Sequence, residues 1–593
     1  MSKRNKLLAS LMALTMCLSF TFNANVVKAS DAYTEQTAIV HVFSEENIQP
    51  LQIRFYKGFS APYIKLTDYY RYLTGKEMSV QKNSDGDYTF KSAMGATAVI
   101  DTDENTLYSS DFDNFINTTI TKQDNVPNVY YDGYPFVEIY GATPDKAPEP
   151  KTIDFDNYSI DLIEDESQGD IWIPYLTASD MFSGVVMYRM LYDSKEFYIL
   201  DENSDYTASK VVPSEQYQAN VTNFIKEGKR DKSLAEYSYN EMCFVYDNYF
   251  GYPEQMGLGA EIKEKGLDET LKQHDIFTAQ AREWFLSDDP AEYVAATVIL
   301  DDYLSDGGHT YLGDMGATYF SEDTIDDAKQ LLYSMDFGFS NTVALGSKYE
   351  KMQCLQQMKQ DKWGDEYFHI EGDTALFSFD SFVADEQAWR EYYENGGELP
   401  DDTVGDFKRA LDAAAEANVK NFVIDLSSNG GGSADVVFLM ACAMTGNAKM
   451  SYQNAIGGQF TTVQYLADIN FDKVFDYKDF EPYDFNFGVL TSDFSFSCAN
   501  FLPAICKSEG IAILGEQSGG GACAVIPLGT AEGGVYQISS AMRLSNPDGS
   551  SVDGGIPVDV NLVSVNADGT NDYSAFYDLQ ALSSAMNEFY ANK

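Results

Sequence analysis

Asn421-Phe-Val-Ile-Asp-Leu-Ser-Ser-Asn-Gly-Gly-Gly-Ser433 decides the fold of this 593-residue chain. Asn421 to Leu426 reads as a strand, and Ser427 to Ser433 opens a helix that continues through Val437-Phe-Leu-Met440. Before it lie a strand at Thr374-Ala-Leu-Phe-Ser-Phe379 and a helix near Thr403 to Asn418. After it come the strands Phe487-Gly-Val-Leu490 and Ile511-Ala-Ile-Leu514, with a helix-like run beginning at Cys498 between them. This alternation predicts an α/β core with substantial parallel sheet.

Two loops of that core are chemically suggestive. The triple glycine could cradle phosphate, but it lacks the Gly-Lys-Ser/Thr ending and any basic neighbour. An oxyanion hole from backbone N–H groups near Gly431 or Gly432 is the better use. Opposite it, Thr491-Ser-Asp-Phe-Ser-Phe-Ser-Cys-Ala-Asn500 places Ser497 where a strand gives way to a helix. A serine there either caps the helix or, with the helix dipole behind it, serves as a nucleophile. The next loop, Gly515-Glu-Gln-Ser-Gly-Gly-Gly521, contains no lysine, and none follows before Asp559.

Upstream, from about Pro213 to Leu304, the periodicity is helical, as in Ser233 to Tyr246 and Pro290 to Leu304. The second of these helices stops at Ser305-Asp-Gly-Gly-His-Thr310, where His309 is one of four histidines in the chain. The flanking glycines let this loop approach another element closely. Residues from about Ala32 to Leu200 read as short strands broken by Asp, Asn, Gly and Pro. Ala61-Pro-Tyr-Ile-Lys-Leu-Thr-Asp-Tyr-Tyr-Arg-Tyr72 and Ile173-Pro-Tyr-Leu-Thr-Ala-Ser-Asp-Met-Phe182 echo each other there, so a duplicated module is expected. The resulting partition is 1–29, a signal peptide; 30–208, a β-rich region with the duplication; 209–340, a helical subdomain carrying the His309 loop; and 341–593, the α/β core.

Lys3-Arg-Asn-Lys6, the apolar run Leu7 to Phe22 and Val27-Lys-Ala29 form a secretory signal with cleavage expected after Ala29. Cys17 follows Met16, where a lipoprotein signal would want a small residue. A secreted protein is therefore expected, free or associated with the cell surface, with no integral membrane span. Ninety-two acidic against forty basic residues give a net charge of −52, which excludes nucleic acid as a partner and suits a soluble exported chain. The cysteines beyond the signal show no zinc spacing and do not amount to a disulfide framework; Cys498 and Cys523 flank the serine site. No metal or cofactor is expected.

Five segments together resemble the C-terminal processing peptidase family: Asp301 to Thr310, Val423 to Gly432, Phe494 to Asn500, Gly515 to Gly520 and Gly554-Gly-Ile-Pro-Val-Asp559. The resemblance covers roughly residues 215 to 565. It implies a ClpP/crotonase-like serine protease core, Ser497 as nucleophile, and an oxyanion hole from backbone N–H groups of Gly431, Gly432 and Cys498. Relatives with a Ser/Lys dyad carry a lysine near the position of Gly521; its absence points to the tricorn-core-like branch, with His309 as general base. Asp553 is the acidic residue nearest the place of a third catalytic member, although Gly308 stands where that branch has a serine. The implied function is a secreted serine endopeptidase acting on peptides or unfolded proteins. The alternatives are a non-catalytic peptide- or ligand-binding protein on the same fold, and acyl-CoA chemistry, which export and the scarcity of basic residues disfavour.

Overall fold

The structure is a computed structural model that describes residues 33–118, 134–165, 167–204, 206–313 and 320–593. The expected signal, with Cys17, lies outside the described residues.

Asn421–Asp425 forms an inner strand of a 6-stranded sheet. Thr374–Ser378 and Asn486–Thr491 run parallel on either side of it. Ala512–Gly515 and Val560–Asn561 extend the parallel order, and Phe368–Glu371 closes the opposite edge antiparallel. Alternate residues serve opposite faces. Ala375, Phe377, Phe422, Ile424 and Val489 pack with the apolar residues of helices Thr403–Glu416, Ala434–Thr445 and Cys498–Ser508. Leu376, Val423, Leu490 and Leu514 instead meet Leu582 and Met586 of helix Leu579–Ala591. Burial of both faces is what a parallel strand needs, and it explains the unbroken apolar run of Phe422 to Ile424. The expected α/β core is present, beside a β-rich N-terminal region.

A second sheet stands beside the first. Its strand order is Cys523–Gly529, Val535–Ser545, Ala448–Asn454, Phe460–Ala467 and Val137–Lys146. The last strand corrects the sequence partition. Val137–Lys146 falls within 30–208, yet it pairs antiparallel with Phe460–Ala467, and Phe136 and Val137 are buried with the core. The boundary at 208 is therefore crossed by a strand whose apolar partners lie more than 300 residues downstream.

The rest of the N-terminal region holds a 7-stranded sheet and a 5-stranded meander. The two echoing segments lie side by side. Tyr63–Lys65 pairs antiparallel with Asp170–Pro174, and each strand runs directly into a helix, Leu66–Thr74 or Tyr175–Val186. Tyr69 and Tyr70 of the first helix meet Phe182 of the second. The same apolar cluster takes in helices Lys232–Tyr249 and Pro290–Leu304 and the hairpin residues Ile526, Leu528, Tyr536 and Ile538. Module, helical subdomain and core hairpin thus share one interior.

A buried ion pair locks that junction. Arg230 forks onto Glu532 at 2.8 and 2.6 Å, donates to the carbonyls of Phe285 and Ser287, and lies 3.7 Å over the ring of Tyr293. Both charged side chains are almost wholly enclosed, 0% and 2% exposed. Removing one partner strands the other charge in a dry site. Replacing Arg230 with Met is expected to cost about 3–5 kcal/mol, measured by urea titration with intrinsic fluorescence. The double replacement Arg230→Met, Glu532→Leu should recover most of that loss.

Candidate active site

Strands Asn421–Asp425, Asn486–Thr491 and Ala512–Gly515 end on one side of the sheet, and the loops that leave them converge there. Carboxyl ends of parallel strands are where ligands bind in such sheets. Ser497 stands at the N-terminus of helix Cys498–Ser508 with φ 57° and ψ −122°. Left-handed backbone is costly for a residue with a Cβ, by about 1–3 kcal/mol. Neighbouring loops hold it: the Ser497 N–H donates to the Gly520 carbonyl at 2.9 Å, and Gly519 N–H donates to the Ser495 carbonyl at 2.8 Å. The Ser497 side chain makes no capping hydrogen bond to its helix, so of the two roles open to it the cap is not the one adopted.

The glycine loop lies against this turn. A Cβ on Gly431, at φ 120°, would fall 2.8 Å from the Ser497 Cβ. Phe382 bridges Gly432 in parallel, through Phe382 N–H to the Gly431 carbonyl and Ser433 N–H to the Phe382 carbonyl. One oxyanion expectation changes. The Gly431 N–H is already committed to Asn429 Oδ1 at 2.8 Å, an Asx turn that shapes the loop. Among the described residues the Cys498 N–H has no backbone acceptor and the Gly432 N–H meets only the weakly accepting Cys498 sulfur, so these two remain the candidates for holding a developing negative charge.

The rival nucleophiles are occupied. Ser495 is fully buried and donates to the Leu426 carbonyl at 2.7 Å. Cys498 turns its Sγ toward the Gly432 carbonyl at 2.9 Å, and burial pushes its thiol up to about 12. All six cysteines of the described residues are free, Cys523 included.

His309 reaches the site from the helical subdomain. Asp306 builds its loop: Oδ1 accepts the N–H groups of His309 and Thr310, each at 2.9 Å, and Oδ2 accepts the hydroxyls of Thr310 and Ser539. Gln537 of strand Val535–Ser545 pairs with Tyr311 in both directions and donates its amide to the His309 carbonyl. The imidazole packs 4.7 Å from the ring of Phe496, the residue before Ser497. Its Nδ1 is buried without a partner, and no hydrogen bond joins His309 to Ser497. Burial lowers the His309 pKa from the ordinary histidine value; the charges of Asp306 and then Asp553 oppose that shift without reversing it.

Asp553 does not orient the histidine by contact. It is fully buried, Oδ1 accepts the Ala522 N–H at 2.8 Å, and Oδ2 accepts the Glu254 N–H at 2.6 Å. Backbone donors hold both oxygens, so its influence on His309 is through charge. Its structural work is to clamp the Gly519–Ala522 loop. The carboxylate that sequence reading passed over is Asp306; its signal was an Asp three residues before the His in a glycine loop, the spacing of an Asx-type turn. Lysine offers no substitute base nearby. Lys351 would be lowered by burial, but its bonds to Asp493 and Glu516, at 2.6 and 3.0 Å, raise it overall and keep it charged.

Residues 379–562 match the sequence model of peptidase family S41. The chain carries a peptidase family S41 domain. Among solved structures, the photosystem II D1 C-terminal processing protease is 17% identical with a TM-score of 0.25, covering 32% of this chain and 42% of that one. A lipoprotein from Streptococcus agalactiae is 12% identical with a TM-score of 0.33, covering 60% of this chain and 96% of that one. No curated protein sequence matches the chain. Ser497, Cys498 and the glycine loop lie inside the S41 segment; His309 lies outside it.

The lowered His309 pKa makes stability depend on pH. The unfolded chain, with histidine near about 6.5, binds the proton before the folded one does. This contribution is complete above that pH and is lost as pH falls toward the folded value. Urea midpoints of wild type and His309→Gln, compared across mildly acidic pH, should converge as the pH is lowered.

Proposed function

We propose that this chain is an exported serine endopeptidase that hydrolyses peptide bonds in peptides or unfolded proteins. Ser497 is the nucleophile and His309 the general base. The reading rests on the left-handed turn at Ser497, which leaves a hydroxyl that does not cap its helix beside the N–H groups of Cys498 and Gly432. In the reaction, Ser497 Oγ attacks the scissile carbonyl while His309 takes its proton. The resulting oxyanion is held by the two N–H groups at the positive end of the helix. His309 then protonates the leaving amine, and water, deprotonated by the same imidazole, releases the acyl group.

The buried Nδ1 has no partner, and a bond from the imidazole to Ser497 is of the kind that often tightens only in the complex. The negative charges of Asp306 and Asp553 favour the imidazolium formed in the first step. Export rests on the Lys3 to Ala29 pattern. A second reading, a peptide-binding protein on the same fold, is favoured by the missing Ser497–His309 hydrogen bond.

Fluorophosphonate labelling separates the two. The purified chain is expected to label at Ser497, with Ser497→Ala unlabelled, and either Ser497→Ala or His309→Ala should lower kcat/KM on a peptide substrate by about 10⁴-fold or more. Absence of both labelling and cleavage would favour the binding protein. The acid limb of kcat/KM should fall below the ordinary histidine value of about 6.5, because a depressed pKa keeps the base neutral to lower pH.

A further inference from the structure

Helix Ser340–Trp363 is 24 residues long, yet Leu355 is its one buried residue. A helix with so little apolar surface to bury needs other ties to the fold. Its ties are polar, and they land on parts of the candidate site. At the N-terminus, Thr342 donates its N–H and its hydroxyl to Asp302 Oδ1, each at 2.7 Å; Asp302 belongs to helix Pro290–Leu304, which leads into the His309 loop. Further along, Lys359 donates to Ser428 Oγ at 2.5 Å and to Asp380 at 3.1 Å, where the glycine loop begins. From 342 to 359 the helix axis covers about 25 Å, enough to reach from the histidine-bearing helix across the strand ends to that loop. Lys351, Leu355 and Lys359 recur every four residues, so they share one stripe of the helix.

Lys351 occupies the middle of this span. Its ammonium lies 2.6 Å from Asp493 and 3.0 Å from Glu516. Asp493 stands four residues before Ser497, and Glu516 four residues before Gly520, whose carbonyl accepts the Ser497 N–H. The Lys351 bridge and the Ser497–Gly520 bond therefore fasten the same two loops at two levels. Asp493 Oδ1 is buried without a hydrogen-bond partner, so the ammonium on Oδ2 is what compensates this carboxylate. With the cation gone, two like charges on adjacent loops would face each other and press the loops apart. An ion pair as accessible as this one contributes little to overall stability; what three charges from three elements do is fix a geometry.

We infer that Lys351 is a positioning residue for the Ser497 turn, carried on a polar strap, helix Ser340–Trp363, that registers the histidine-bearing helix against the core loops. The inference rests on the reading of Ser497 as nucleophile. Lys351 acts through Asp493 and Glu516 and not on the reacting atoms. Its contribution is placement: a shift of about 1 Å at a reacting group costs on the order of a hundredfold in rate.

The full chain is compared with Lys351→Met and Lys351→Arg by two measurements. One is the rate of fluorophosphonate labelling, resolved into kinact and KI; the other is deuterium uptake of segments 491–500 and 515–521. Lys351→Met is expected to lower kinact at least about tenfold with KI within about twofold of wild type. It should also speed exchange in both segments by about tenfold or more, while helix Leu579–Ala591 exchanges as in wild type. Lys351→Arg keeps the charge and should stay within about threefold of wild type in both measurements. Labelling and exchange of Lys351→Met at wild-type rates overturn the inference. So does uptake that rises alike throughout the core, or a Lys351→Arg chain as impaired as Lys351→Met. A wild-type chain that never labels removes the peptidase reading instead, and the exchange measurement then decides the role of Lys351 by itself.

Discussion

The left-handed turn at Ser497 is the constraint around which the core loops are arranged. A residue with a Cβ at φ 57° is held there only if the surroundings over-determine it. They do so from three strand ends. Gly520 supplies the acceptor for the Ser497 N–H, Gly431 gives up its Cβ so that the turn can close on it, and Phe382 ties the glycine loop down from the neighbouring strand. The parallel sheet brings these strand ends together, and its two-sided burial makes their positions rigid. A hydroxyl on a strained turn at a helix N-terminus is consequently fixed in place before any substrate arrives.

Much of this was legible in the sequence, for identifiable reasons. Strands Thr374–Ser378, Asn421–Asp425 and Asn486–Thr491 announce themselves as short apolar runs because both their faces are buried. Helix Pro290–Leu304 could be placed because proline favours its first turn and a polar glycine-containing loop ends it. The pairing of Val137–Lys146 with Phe460–Ala467 could not be read, since local pattern carries no information about a partner hundreds of residues away. The proposed oxyanion donors were half legible. Glycine spacing marks a loop of exposed N–H groups, but only the fold shows that Asn429 takes one of them.

Asp553 and Asp306 show the same limit for carboxylates. Both are buried beside the site, and from sequence only Asp553 is taken as a partner for the histidine. A buried carboxylate binds whichever donors stand nearest, and for Asp553 these are the N–H groups of Ala522 and Glu254. Asp306 likewise spends its oxygens on loop N–H groups and hydroxyls. What remains for the imidazole is their charge, which opposes the lowering by burial without reversing it.

Phe496 explains the glycines that flank both loops. A Cβ on Gly521 would approach its ring to 2.5 Å, one on Gly307 to 3.2 Å and one on Gly308 to 3.4 Å. One aromatic side chain, adjacent in sequence to Ser497, thereby requires glycine at 521, in the loop that accepts the Ser497 N–H, and crowds position 307 of the His309 loop. It also supplies the packing that holds the imidazole where no hydrogen bond does. A smaller residue at 496 would remove the wall against the imidazole while leaving the backbone ties of its loop to Gln537 and Ser539. The aromatic ring therefore joins the Gln537, Ser539 and Glu532 contacts in coupling the histidine-bearing helices to the core, and it is the one that packs directly on the imidazole.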